Sequence, residues 1–216
     1  MVKNTSSKFK TVSKNTNSKK TVSKKTISKD SKLPKKNINF KITNIVSSAN
    51  LGLELDLFYI AQRIKEIEYE PEQFPGAILK FSEPKASLLL FKNGKVVCVG
   101  CRDEETIAKT LDKTLKLLKP HAKKILTNKK PEFVVTNIVA SADLNVTLDL
   151  FAIASKVSEV EYEPEQFPGA ILKFYNPKIS LLLFKNGKII CAGATNKKQI
   201  KDAIIKAKNI LTKYAD

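Results

Sequence analysis

Apolar positions along this chain follow two periods, and the order of those periods repeats once. From Phe40, FKITNIVSS is rich in β-branched residues and predicts a strand, with Ile42, Asn44 and Val46 on one face. Asp56 has the chemistry of a helix N-cap. After it Leu57, Ile60, Ala61 and Ile64 fall at i, i+3, i+4 and i+7, the stripe of a short helix. EIEYEPEQFPG carries Pro71, Pro75 and Gly76, so a short strand ends there in an exposed loop. GAILKFSE, KASLLLF and KVVCVG predict three more strands. Pro84 interrupts between the first two, and Asn93-Gly94 signals a two-residue type I′ hairpin between the last two. Asp103 caps a longer helix with Glu104 and Glu105 in its first turn, where the helix dipole favours acids; Ile107, Leu111, Leu115 and Leu118 form its stripe. The unit therefore reads strand, helix, four strands, helix.

The second unit repeats the first. EYEPEQFPGAILKF stands letter for letter at 68–81 and at 161–174, an offset of 93 residues. TNIV at 43–46 and LLLFKNGK at 88–95 return at 136–139 and 181–188 with the same offset. Asp149 heads Leu150, Ile153, Ala154 and Val157. The last helix starts near Asn196 and carries Ile200, Ile204, Ala207 and Leu211. Two copies are too few for a solenoid. They predict one pseudo-symmetric body, suited to a partner that is itself roughly two-fold symmetric. The pattern divides the chain into a tail (1–39), a first repeat (40–126) and a second repeat (127–216).

Two of the strands are apolar on both faces. Leu88 and Leu90 face one way, Leu89 and Phe91 the other; Val96 and Cys98 oppose Val97 and Val99 in the same manner. Helices with single apolar stripes cover one face of a sheet. The other face must meet a second sheet, which leaves the helices hard to place, or a ligand. Lysines at 80, 85 and 95, repeated at 173, 178 and 188, lie along these strands. An apolar face rimmed by Lys suits a nucleic acid, with bases or sugars on the apolar part and phosphates on the rim.

Charge strengthens that reading. The chain of 216 residues has 39 Lys+Arg against 21 Asp+Glu, a formal net charge of +18, which points to a polyanionic partner. Residues 1–39 hold twelve Lys and one Asp in a low-complexity Lys/Ser/Thr/Asn run, too poor in apolar surface to fold, so disorder is expected there. That tail reads equally as a solvated extension and as a nonspecific nucleic-acid arm or localisation signal. No apolar run approaches a membrane span, and the polar N-terminus is no secretory signal. Cys98 and Cys191 occupy one position in the two repeats and read as core thiols. Cys101 completes a CxxC with no second pair and no His near it in sequence, so no metal is expected. His121 sits in a Lys-rich linker, Asp56 and Asp149 read as caps, and no Gly-rich phosphate loop appears. No catalytic residue, cofactor or small-molecule substrate is expected.

The tandem repeat, TNIV, EYEPEQFPG and LLLFKNGK together make residues 40–214 resemble the TATA-box-binding protein family in its archaeal form. The resemblance implies an α+β saddle: two tandem pseudo-symmetric repeats forming a ten-stranded antiparallel sheet, concave underneath, with four helices on the convex face. It implies a general transcription initiation factor, not an enzyme. Such a factor binds double-stranded promoter DNA at a TATA box through the minor groove and recruits transcription factor B and RNA polymerase. By resemblance, Phe74 and Phe91, and Phe167 and Phe184, are the intercalating pairs. Asn44 and Asn137 are base-contacting amides able to donate to adenine N3 and thymine O2. Val46, Val139, Val97, Ile190, Leu89, Leu182, Val99 and Ala192 are the apolar base contacts. Lys80, Lys85, Lys173 and Lys178 stand where the family contacts phosphate with Arg, keeping charge and losing bidentate geometry. Glu163, Glu165 and Gln166 match the loop that holds transcription factor B. Val99 and Ala192 depart from the family's usual Thr. That departure motivates the alternative of a divergent paralogue with relaxed sequence preference, acting as a regulator or architectural protein. An archaeal source implies the cytoplasm, and a eukaryotic one the nucleus.

Overall fold

The computed structural model describes residues 39–214. The expectation of disorder in the basic tail falls on residues outside that range, apart from Asn39. In chain order the elements are β1 (Phe40–Asn50), β2 (Leu53–Glu54), α1 (Leu57–Ala61), β3 (Ile67–Glu68), β4 (Ala77–Phe81), β5 (Ala86–Leu90), β6 (Lys95–Cys101) and α2 (Glu104–Leu118). They continue with β7 (Lys124–Ile125), β8 (Phe133–Asp143), α3 (Leu150–Lys156), β9 (Val160–Glu161), β10 (Ala170–Tyr175), β11 (Lys178–Leu183), β12 (Lys188–Ala194) and α4 (Lys197–Leu211).

Ten strands form one sheet in the order β3-β4-β5-β6-β1-β8-β12-β11-β10-β9, with every pair antiparallel. Each repeat supplies five strands, and β1 against β8 joins the halves at the centre. A separate two-stranded ribbon, β2 with β7, clips the linker between repeats back onto the first one, and Lys123 pairs with Glu54 beside it at 3.3 Å. The sequence pattern shows no sign of this ribbon, because two residues per strand carry no period.

All four helices begin on side-chain caps. Asp56 accepts from the Tyr59 N–H at 3.0 Å, Asp149 from Ala152 at 3.0 Å, Asp103 from Thr106 at 2.7 Å and Asn196 from Gln199 at 3.0 Å. The helix stripes bury Ile107, Leu111, Leu118, Ile200, Ile204 and Leu211 with one face of the sheet, which contributes Leu79, Leu88, Leu90, Val96, Leu172, Leu181, Leu183 and Ile189. Thr110 and Thr114 are also fully buried, and each hydroxyl donates to the carbonyl four residues back, at 2.7 and 2.8 Å. Cys98, Cys101 and Cys191 are free and buried. Burial, with Cys101 adding to it, pushes the Cys98 thiol up to about 12, and burial pushes Cys191 to about 11. Both are inert core thiols at neutral pH. Among the described residues no cluster of His, Cys, Asp and Glu could hold a metal ion.

Two local expectations are corrected. Ile42 does not share a face with Asn44 and Val46. The register shifts between Ile42, opposite buried Ala140, and Asn44, opposite Val139, so a bulge at Thr43 turns Ile42 towards the core. Thr136 makes the equivalent bulge in β8. Each bulge hydroxyl crosses the central pair, Thr43 donating to the Val139 carbonyl at 3.1 Å and Thr136 to that of Val46 at 3.2 Å. The hairpin at Asn93-Gly94 is not type I′, which needs positive φ at both central residues. Only Gly94 has it (φ 75°). The Gly94 N–H donates to the Phe91 carbonyl and the Phe91 N–H to that of Lys95, the pattern of a type I turn closed by a glycine bulge. Only glycine fits at this position: a Cβ on Gly94 would lie 2.2 Å from the Leu53 carbonyl oxygen.

Candidate nucleic-acid interface

No described element covers the face of the sheet opposite the helices. Along each strand the residues alternate with the buried ones, and all ten expected base-contacting residues fall on this face, each half-buried. Cross-strand pairing aligns them in rows. Lys80, Ser87, Val99, Val46 and Asn137 form one row, and Ile78, Leu89, Val97, Ser48 and Val134 the next. The second half repeats the second row as Ile171, Leu182, Ile190, Ser141 and Lys41, and Lys173, Ser180 and Ala192 repeat the start of the first. Ser48, Ser141, Ser87, Ser180, Ile78, Ile171 and Lys41 also lie on this face and were not singled out from the sequence. Extending the alternation one step along each strand finds the serines and isoleucines. Lys41 required knowledge of the bulge at Thr43.

The two asparagines are oriented by backbone. Gly100 and Gly193 have φ of 102° and 103°, which L side chains rarely adopt. This glycine bulge turns the Gly100 N–H towards Asn44 Oδ1 at 2.8 Å, and the Gly193 N–H towards Asn137 Oδ1 at 2.8 Å. Each carbonyl oxygen is thereby occupied, and no described residue accepts from either Nδ2. Two amide donors at the centre of an apolar surface point outward with their hydrogen-bonding capacity unspent.

The four expected intercalating phenylalanines meet in pairs at opposite ends of the face. Phe74 packs edge-on against Phe91 with ring centroids 6.0 Å apart, and Phe167 against Phe184 at 6.0 Å. Phe167 is 36 % exposed. Gly76 and Gly169 make room for the pairs: an added Cβ would come within 2.7 and 2.8 Å of the Phe74 and Phe167 rings. These rings lie outside the helix-facing core.

The lysine rim divides in two. Lys85 and Lys178 are exposed. Lys80 is held by Glu68 at 2.7 Å and Lys173 by Glu161 at 2.6 Å, each acid sitting on the adjoining edge strand. The hydrogen bond that Lys173 donates to Glu161 raises the lysine's pKa. A polyanion reaching Lys80 and Lys173 must displace these carboxylates. In the exposed loops, Gln73 is hydrogen-bonded to Glu70 and Gln166 to Glu163, so the two loops have the same internal structure; Glu165 is exposed.

Comparison with known proteins agrees with this geometry. The family described as "Transcription factor TFIID (or TATA-binding protein, TBP)" matches residues 39–121 and again 132–214. The chain belongs to the TATA-box-binding protein family. It is 40% identical over 179 residues to the TATA-box-binding protein of Pyrobaculum aerophilum, covering 83% of this chain and 89% of that protein. To the protein of the same name from Picrophilus torridus it is 44% identical over 174 residues, covering 80% and 94%. The solved structure of Methanococcus jannaschii TBP superposes with a TM-score of 0.74 at 38% identity, covering 81% of this chain and 99% of that one. The family and its fold are those of transcription factors, not enzymes.

Proposed function

We propose that this chain is a general transcription initiation factor that lays its open face in the minor groove of an A/T-rich promoter element. The observation that carries the reading is the pair of unspent amide donors of Asn44 and Asn137 at the centre of an apolar surface. A·T pairs present only acceptors in the minor groove, whereas G·C adds the guanine amino donor, which two donors cannot satisfy. The Phe pairs at either end act as wedges that unstack a base step and kink the duplex, the mode for which this family is the type case. Lys85 and Lys178, joined by Lys80 and Lys173 once their acids are displaced, neutralise phosphates. The loop of Glu163, Glu165 and Gln166 presents carboxylates to basic residues of transcription factor B, which brings RNA polymerase. The protein then works where its genome lies, the cytoplasm of an archaeal cell.

Relaxed sequence preference is the second reading, since Val99 and Ala192 offer no hydroxyl. The pairing of Ser87 with Val99 and of Ser180 with Ala192 puts a hydroxyl beside each position and favours retained A/T selectivity. A gel-shift titration on a TATA-like duplex and a G·C-substituted duplex, with purified transcription factor B in half the lanes, tests the proposal. A/T-selective binding with a supershift is expected. Equal binding to both duplexes would overturn it in favour of the relaxed reading.

A further inference from the structure

The two halves of the open face are nearly one surface. Asn44/Asn137, Val46/Val139, Ser48/Ser141, Ile78/Ile171, Leu89/Leu182 and both Phe pairs are identical at the 93-residue offset. Such a face binds a duplex almost equally well in either direction. At the groove edges Asn39/Glu132 and Asn50/Asp143 differ but leave one Asn and one acid at each end; between them three positions differ. Val97/Ile190 and Val99/Ala192 change apolar bulk alone, whereas Lys41/Val134 changes charge and hydrogen bonding together.

Antiparallel pairing of β1 with β8 carries these two residues to opposite ends. Lys41 pairs with Ser141, which pairs with Ile190; Val134 pairs with Ser48, which pairs with Val97. Lys41 thus shares a groove of about 910 Å³ with Phe184, and Val134 a groove of about 760 Å³ with Phe91. Lys185 and Lys188 in the first groove match Lys92 and Lys95 in the second. Asp143 lines the first and Glu132 the second, so the acids do not cancel the difference. Val134 is 67% exposed and Lys41 is exposed, so both can reach a bound duplex.

We propose that Lys41 and Val134 set the direction in which the chain sits on an asymmetric promoter element, the Val134 end demanding A·T pairs and the Lys41 end accepting G·C. The inference rests on the open face being the DNA-binding surface. A guanine amino group pressed against the Val134 side chain loses water to a surface that offers no acceptor of its own. The Lys41 ammonium, on a flexible four-carbon stem, withdraws to a phosphate and leaves space for water to serve the same amino group.

The test uses the full chain with a donor dye on Ser158→Cys, the three native thiols being buried, and an acceptor dye on either end of a short A/T duplex bearing one G·C pair near one end. Energy transfer reports the two directions. The chain is expected to prefer Lys41 over the G·C end by at least about fivefold, the low end of what one mismatched pair costs. The double swap Lys41→Val with Val134→Lys should invert the preference, and Lys41→Val alone should abolish it. A preference that survives the swap, or an even mixture without substitutions, overturns the proposal while leaving DNA binding intact. No binding to any A/T duplex overturns both.

Discussion

Asn44→Asp separates the fold of this protein from its recognition of DNA. Asn44 Oδ1 accepts the Gly100 N–H at 2.8 Å, and a carboxylate oxygen can accept it equally well. The group that changes is Nδ2, which has no partner among the described residues. Folding stability should therefore hold, whereas Asn44→Ala removes the accepted bond and costs about 1 kcal/mol, or roughly 2–4 °C in Tm for a domain of this size. Binding should show the reverse order. Two hydrogen bonds to groove acceptors are worth about 0.5–1.5 kcal/mol each, and a carboxylate facing acceptors and phosphates adds repulsion of similar size. The sum is about 3 kcal/mol, roughly a hundredfold in Kd, for Asn44→Asp. Asn44→Ala, without the repulsion, should lose roughly thirtyfold. Thermal melting and fluorescence anisotropy on a TATA-like duplex at one fixed salt concentration read both quantities. Asn137, held by Gly193 at 2.8 Å, should behave alike. Unchanged affinity in Asn44→Asp would show that the amide does not donate to the duplex. Equal melting losses for the Asp and Ala variants would show that the Gly100 bond does not orient it.

Other perturbations test other parts of the surface and the core. Glu161→Gln frees Lys173 and removes an anion from the interface, so affinity should rise about fivefold with a steeper salt dependence; no gain would mean that Lys173 reaches no phosphate. Gly76→Ala with Gly169→Ala drives a methyl group into both Phe pairs, so DNA bending measured by energy transfer should collapse beyond any loss of stability, about 1–3 kcal/mol per site. A full bend would refute the wedge assignment. The Ser47 hydroxyl is buried without a partner among the described residues, and the equivalent position in the second repeat is Ala140, so Ser47→Ala should raise stability by about 1 kcal/mol in a thermal melt; a lowered Tm would reveal a bond the geometry does not show. Burial raises the Cys98 thiol from 9.0 to about 12, so the folded state favours the protonated form. Its contribution is whole below pH 9 and is lost as pH climbs towards 12. Melting temperature should fall less steeply above pH 9 in Cys98→Ala than in the parent, and parallel slopes would contradict this.

Much of the fold was legible because it rests on local rules. Asp56, Asp103, Asp149 and Asn196 cap their helices, and the stripes behind them pack on the core, with Ala61, Leu115, Ala154 and Val157 only half-buried, since capping and the 3.6-residue period act within one or two turns. Strands apolar on both sides implied an uncovered face because the stripes could cover only one. The letter-for-letter repeat implied pseudo-symmetry, and the Phe pairs and loops indeed match between halves in geometry. Non-local pairing decided the rest. The bulge at Thr43 turns Ile42 inward because β1 must satisfy β6 and β8 at once. Leu53 closes on Gly94 from forty-one residues away in sequence and leaves no room there for a side chain. Glu68 and Glu161 capture rim lysines that stand twelve residues away in sequence. Lys41 serves the end of the face built by the other repeat, because antiparallel pairing at the centre crosses the halves. Away from the bulge at Thr43, sequence determined which residues line each face, since alternation is a property of one strand; tertiary structure determined the bulge and which residues become neighbours, since register is a property of two.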